Sequence, residues 1–152
     1  MGKITPFLWF DGKAEEAINF YVSIFKNSKI ISMSRMGQGG PVTGGTFQLE
    51  GQEFYALNGG PQFTFTPAIS LFVNCETQEE VDELWEKLSA GGEKGRCGWL
   101  KDKYGLSWQI IPSVLGKMLQ GKDGGNSKKA FEAMMQMSKI EIKALQDAYG
   151  QK

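Results

Sequence analysis

No histidine occurs among the 152 residues, so the usual general base and the commonest ligand for a transition metal are both missing. The chemistry left to the chain is that of amides, indoles, phenols, hydroxyls and two thiols. Its densest run is Cys97-Gly-Trp-Leu-Lys-Asp-Lys-Tyr-Gly-Leu-Ser-Trp-Gln-Ile-Ile-Pro112, which reads as one hairpin. Trp99 and Leu100 extend, Asp102-Lys103-Tyr104-Gly105 turns, and residues 107–111 extend again until Pro112 stops them. In the returning strand Ser107, Gln109 and Ile111 share one face, and Trp108 and Ile110 the other. The Gln109 amide is the first candidate for contact with a ligand; its alternative is an amide satisfied by a neighbouring strand.

Around it stand aromatic groups with polar handles, Trp9, Tyr55, Trp99 and Trp108, which either line an apolar pocket or belong to the core. Asn58, with Gly59 and Gly60, offers donors near a strand end, or simply a turn between two halves of the chain. Cys97 is the one candidate nucleophile, since Arg96 and Lys94 favour its thiolate, but no imidazole is present to serve as its base. Cys75 has less to recommend it. Gly37-Gln-Gly-Gly40 lacks the Lys-Ser/Thr of a phosphate loop and leads into a strand rather than a helix.

The elements that must position these groups follow from periodicity. Residues 4–10 alternate, with Thr5, Phe7 and Trp9 on one face; from Ala14 the period changes to a helical stripe of Ala17, Phe20, Tyr21, Ile24 and Phe25, closed at Asn27-Ser28. Residues 29–36 read as a strand, 37–45 as a flexible loop, and 46–49 with 52–58 as a hairpin turning at Glu50-Gly51. After a connector at 63–66 the order recurs: a strand at 68–73, then a helix capped by Thr77 and Glu80 with Val81, Leu84, Trp85 and Leu88 inward, ended by Gly91-Gly92 and followed by the hairpin. A shift of 64 lays Glu15-Glu16-Ala17 on Glu79-Glu80-Val81. The chain is thus an α+β domain spanning 1–152, with module one at about 3–60, module two at about 67–112 and a helical tail at about 113–150. Val114, Leu115, Met118 and Leu119 form one stripe of that tail, and Phe131, Met134 and Met135 a second. Ile140, Ile142 and Leu145 fit a strand or a helix equally.

Composition excludes several classes. Seventeen basic residues balance seventeen acidic ones, which is not the footprint of a nucleic-acid binder, and no apolar run is long enough to span a membrane. Two cysteines without a secretory leader fit a reducing compartment, so the cytoplasm is expected.

Five stretches together resemble one family: Trp9-Phe-Asp-Gly-Lys-Ala-Glu-Glu-Ala-Ile-Asn-Phe-Tyr21, Ala56-Leu-Asn-Gly-Gly-Pro61, Ala68-Ile-Ser-Leu-Phe-Val-Asn-Cys75, the 97–112 hairpin, and Phe131-Glu-Ala-Met-Met135. They are similar to the vicinal oxygen chelate superfamily of glyoxalases, bleomycin-resistance proteins and extradiol dioxygenases, and more narrowly to its PhnB-like group, often labelled 3-demethylubiquinone methyltransferase. The resemblance implies two βαβββ modules whose curved sheets enclose a cavity, commonly in a homodimer. In metal-dependent relatives the ligands come from the first and last strands of each module, here near Thr5 and Tyr55, and near Ala68 or Ser70 and Gln109. These departures from a His/Glu set leave too few imidazole or carboxylate donors for a divalent ion.

The function expected is therefore small-molecule binding, with Gln109, Trp9, Tyr55, Trp99, Trp108 and Asn58 as contacts and no metal or other cofactor. The rivals are a glyoxalase- or dioxygenase-type enzyme with an atypical metal site, and a drug-sequestering protein. The methyltransferase label fits poorly, since an adenosylmethionine site of the usual kind needs a parallel sheet with a glycine-rich strand-to-helix turn. Elemental analysis of dialysed protein is expected to find no stoichiometric transition metal; one Zn, Ni, Mn or Fe per chain would show that the ligands have been misplaced.

Overall fold

The sequence repeat becomes a repeat of topology. The computed structural model describes residues 2–151. Its elements are β1 (Phe7–Phe10), α1 (Ala14–Ile24), β2 (Lys29–Arg35), β3 (Val42–Leu49), β4 (Gln52–Asn58), β5 (Ser70–Cys75), α2 (Gln78–Ser89), β6 (Glu93–Lys94), β7 (Trp99–Lys101), β8 (Ser107–Pro112), α3 (Ser113–Gln120), α4 (Ser127–Met135) and α5 (Ile142–Tyr149). They form two four-stranded sheets of equivalent order, β1-β4-β3-β2 and β5-β8-β7-β6. In each, the first strand runs parallel to the last and the remaining pairs are antiparallel. Each sheet with its helix is a βαβββ unit. The first unit ends at Phe65; the second begins at Thr66 and includes the tail.

In the first unit Leu8, Phe10, Phe47, Phe54 and Ala56 point to one side of the sheet and meet Ala14, Ala17, Ile18 and Tyr21 of α1. The Phe47 ring stacks near those of Tyr21 and Phe54. The buried helix face is centred on 14, 17, 18 and 21, the i, i+3, i+4, i+7 pattern, so Ile18 is core while Phe20 and Ile24 are only half-buried. The expected loop at 37–45 is shorter than the sequence suggested: Met36 donates to the Pro41 carbonyl, and the strand resumes at Val42. Gly44 lies inside β3 because a Cβ there would stand 2.3 Å from the Ala56 carbonyl oxygen. It serves close packing rather than flexibility.

In the second unit Thr77 caps α2, its hydroxyl accepting from Glu80 N at 3.1 Å, while the Glu80 carboxylate accepts from Glu76 N. Val81, Leu84, Trp85 and Leu88 are buried as their spacing predicts. Strand β5 starts two residues later than the alternation at 68–73 implied, because Thr66 first turns the chain by accepting from Ala68 N and Ile69 N. The hairpin turn is built on Asp102, which is 2% exposed. One of its carboxylate oxygens accepts from Tyr104 N and Leu106 N, the other from the Trp108 indole at 2.9 Å.

The tail packs on this unit. Leu115, Met118, Ala130, Ile140 and Leu145 cluster with Ile111 of β8. In α4 the buried residue is Ala130, whereas Phe131 and Met135 of the expected stripe are exposed. Residues 140–149, open between strand and helix in the sequence, hold a buried Ile140 followed by α5. Cys97 N and Gly98 N donate to the carbonyls of Met137 and Ser138, both at 2.8 Å. Gly98 permits this approach: it sits at φ 85°, and a Cβ there would lie 2.6 Å from Ile111 Cδ1. From α2, the Gln78 amide donates to the Ile140 carbonyl and accepts from Ile142 N, while Asp82 pairs with Lys139 at 2.8 Å. The Lys139 bond, aided by Gln78, holds the Asp82 carboxyl below its ordinary value, and the same bond raises Lys139.

Removing the carboxylate at the turn tests how much of this depends on it. Asp102→Ala strands three N–H donors in a buried setting and is expected to cost at least about 2 kcal/mol, given that hydrogen bonds to charged groups are worth roughly 1.5–3 kcal/mol. Urea denaturation measures this directly, and an unchanged midpoint would contradict the role given to Asp102.

Candidate functional site

Each sheet has one face covered by its helix and one that is not. In the second unit the face away from the helix carries Ser70 and Phe72 of β5, Gln109 of β8 and Trp99 of β7, because Gln109 stands in register with Phe72 on one side and Trp99 on the other; Ser107, on the same side of β8, is buried. Phe72 is 52% exposed, and Trp99 and Gln109 are half-buried. The Gln109 amide donates to Ser70 Oγ at 2.9 Å. This places an oriented amide between two aromatic rings with a hydroxyl two residues along β5, an arrangement suited to a molecule that is mostly apolar and carries one or two hydrogen-bonding groups.

The first unit repeats the pattern with other chemistry. Phe7 pairs with Tyr55 in register, as Phe72 does with Gln109. The two rings meet edge to face at 6.1 Å, and Tyr55 is 40% exposed. Trp9 shares this face, donating its indole N–H to the Gly60 carbonyl at 2.9 Å and meeting Phe63 edge to face. The sequence reading grouped Gln109, Trp9, Tyr55, Trp99 and Trp108 around one cavity; the structure has Gln109 with Trp99 on the open face of the second unit, and Trp9 with Tyr55 on that of the first.

Two expected contacts have other work. Trp108 is 2% exposed and lies on the helix side of its strand, tied to Asp102, so it does not join Gln109. Asn58 caps α1 across the chain: its Oδ1 accepts from Ala14 N at 2.8 Å, where Lys13 gives no side-chain cap, and its Nδ2 donates to the Val42 carbonyl. Phe72 was missed as a site residue; its signal was a large aromatic on the alternate positions of β5. The second role of Asp102 had no local signal, since its indole partner is six residues away.

Cys97 is half-buried at φ 58°, with its thiol 4.0 Å from Met135 Sδ. Cys75 is fully buried, and burial, reinforced by Glu80 and Glu76, pushes its thiol up to about 12. For a metal, the positions implied by the resemblance hold Thr5, Tyr55, Ala68 or Ser70, and Gln109, which offer neither carboxylate nor imidazole, and Gln109 spends an amide hydrogen on Ser70. Among the described residues no three His, Cys, Asp or Glu side chains converge on a possible ion. The donor set does not fit a divalent metal of that kind. An open groove of about 920 Å³ is lined by tail residues including Asp123, Asn126 and Tyr149, and contains none of the candidate groups.

The family model described as 3-demethylubiquinone-9 3-methyltransferase matches residues 2–111. A solved structure from Bacillus cereus, described as a PhnB protein and 3-demethylubiquinone-9 3-methyltransferase, is 46% identical, with 74% of this chain and 100% of that chain covered and a TM-score of 0.69. A Pseudomonas aeruginosa protein is similar at 18% identity, covering 71% of this chain and 95% of that one, with a TM-score of 0.59. The manganese-bound fosfomycin resistance protein FosX from Listeria monocytogenes is similar at 21% identity over 70% of this chain and 88% of its own, with a TM-score of 0.51. The last two share the fold alone. No curated protein matches the chain. Paired βαβββ units with these neighbours define a protein of the vicinal oxygen chelate fold. Within that class, the chain belongs to the PhnB-like 3-demethylubiquinone-9 3-methyltransferase family.

The two thiols should separate cleanly in a chemical titration. At pH 8 a thiol reagent is expected to modify Cys97 in the native protein and to reach Cys75 only on unfolding, since thiolate is the reacting form and Cys75 ionises near 12. Rapid labelling of Cys75 in folded protein, read by peptide mapping, would contradict its placement.

Proposed function

We propose that the protein binds a small, partly apolar molecule on the open face of its second module, with Gln109 as the polar contact and Trp99 and Phe72 as flanking rings. The observation that carries this reading is the Gln109–Ser70 hydrogen bond, which orients an amide on a sheet face where two large aromatic side chains remain accessible. Trp9 and Tyr55 form the corresponding aromatic surface of the first module. A second copy of the chain is the partner this reading implies, because open apolar faces of this kind are costly in a lone protein. Among the described residues no helix is long and apolar enough to cross a membrane. A reducing compartment, the cytoplasm, belongs to this reading because Cys75 and Cys97 are both free thiols.

A glyoxalase- or dioxygenase-type reaction is the weaker reading, since the donor set described above does not suit its metal. Drug sequestration would be a particular case of binding, and the likeness to FosX extends to the fold only. Methyl transfer has little support: neither sheet is the parallel, doubly wound kind that ordinarily holds adenosylmethionine.

Native mass spectrometry of purified protein should reveal a retained small molecule. With that ligand in hand, Gln109→Leu is expected to weaken binding about two- to tenfold, the equivalent of roughly 0.5–1.5 kcal/mol for a neutral hydrogen bond, while leaving the melting temperature nearly unchanged. Ser70 is half-buried, so water can replace the amide there. A destabilised protein with unaltered affinity would remove Gln109 from the site.

A further inference from the structure

The Gln109 amide is only partly spent. One N–H goes to Ser70 Oγ, which leaves a second N–H and the carbonyl oxygen. Among the described residues Ser107 Oγ alone is both enclosed and without a hydrogen-bond partner. The Gln109 oxygen, which accepts no bond within the chain, is therefore at the surface. The flanking rings set the thickness of what can reach it. Phe72 and Trp99 lie in register on either side of Gln109, on strands each about 4.8 Å from β8, so their backbones stand about 9.6 Å apart. A flat ring touching both side chains needs about 7–8 Å, twice the usual separation of carbon atoms in contact. A saturated ring is thicker and forgoes stacking on the aromatic faces. Along the strands the apolar strip is one row deep. Ser70 lies two residues to one side of Phe72 and Asn74 two residues to the other, each about 7 Å away. Asn74 is exposed, whereas Ile111 in register with it is buried under the tail, so the row beyond the rings presents an amide to a ligand.

We infer that the ligand of this face is a compact, flat heterocycle with an N–H and a C=O side by side, the lactam edge of pyridones and oxidised purines. It stands edge-on between Phe72 and Trp99, with that edge on the Gln109 amide. The inference rests on the binding reading above and adds the chemical class of the ligand. The ligand N–H donates to Gln109 Oε1, and its carbonyl accepts the second amide N–H. Both unspent groups are then satisfied while the bond to Ser70 holds the amide in place. Polar rows on either side limit the body to one or two fused rings, which a long alkyl chain would overrun.

Three probes test it: isoquinolin-1(2H)-one, its N-methyl derivative, which lacks the donor, and its fully saturated counterpart, which keeps the lactam edge but is not flat. Each is titrated by NMR at neutral pH against the wild-type protein and Gln109→Leu. In the wild type isoquinolin-1(2H)-one should bind about tenfold more tightly than the N-methyl derivative, the scale of one neutral hydrogen bond, and about tenfold more tightly than the saturated lactam. In Gln109→Leu the first preference should vanish and the second remain. Both are ratios within one variant, so they do not depend on how much of that variant is folded. Equal binding of isoquinolin-1(2H)-one and its N-methyl derivative to the wild type would overturn the lactam edge and leave the binding reading standing. A preference that survives in Gln109→Leu would overturn it as well, by giving the edge to another residue. Equal binding of the saturated lactam would overturn the flat slot, and failure of all three probes to bind would overturn the binding reading together with this one.

Discussion

The second module is organised around the buried carboxylate of Asp102. An ion taken out of water costs several kcal/mol unless its lone pairs are satisfied. Here two backbone N–H groups and one indole N–H converge on it, so the turn, the carboxylate and the Trp108 side chain hold together or not at all. Pinning Trp108 to the helix side dictates the rest of β8, because side chains in a strand alternate. Ser107 and Gln109 must then face the other way. A register slip of one residue would reverse every one of these assignments and bring Trp108 away from its acceptor, which makes the orientation of the candidate site a consequence of one acid in the turn.

Below this level the two modules are built alike but have been put to unlike use. Tyr55 and Gln109 occupy corresponding places, each in register with a phenylalanine of the first strand. Tyr55 meets that phenylalanine ring, whereas Gln109 reaches past its own to a serine hydroxyl. The second module also carries the tail, joined by backbone hydrogen bonds at Cys97 and Gly98, by the Gln78 amide and by an apolar cluster around Ile111. The Asp82–Lys139 pair adds little, being largely solvated. The Gln78 amide matters more, since it satisfies a carbonyl and an N–H in an irregular stretch that has no strand or helix to do so.

Most of this fold was legible from local pattern. The helical stripes of α1 and α2, the Thr77 cap, the hairpin at 97–112 and the doubled order of elements all depend on neighbours within a few residues, where periodicity and turn chemistry act. What escaped depended on distance. Gly44 reads as a loop residue until the Ala56 carbonyl is seen 2.3 Å from where its Cβ would be. Asn58 reads as a site amide until Ala14, forty-four residues earlier, is found to need a cap. In the tail, Ala130 outranked Phe131 and Met135 for burial because close helix packing favours a small side chain over a large one. For the site, alternation correctly assigned Gln109 and Trp108 to opposite faces, but only the tertiary structure shows which of those faces the helix covers.

Family and chemistry are separable in this protein. Membership rests on about three quarters of the chain and on a shared fold, and a fold of this kind is a pair of curved sheets on which different side chains can be mounted. Beside the charged Lys101 and Glu93 at one edge of the second sheet, the groups that the binding reading assigns to a small molecule are amide, hydroxyl, indole and phenyl, all of them uncharged. Such groups select among molecules by shape and by complementary hydrogen bonds, and they do so with modest energies, about 0.5–1.5 kcal/mol for each neutral bond. Discrimination against a molecule lacking the right polar atom comes instead from leaving a buried partner unsatisfied. On the binding reading, an oriented amide between two aromatic rings would therefore select its ligand by shape and by directed hydrogen bonding.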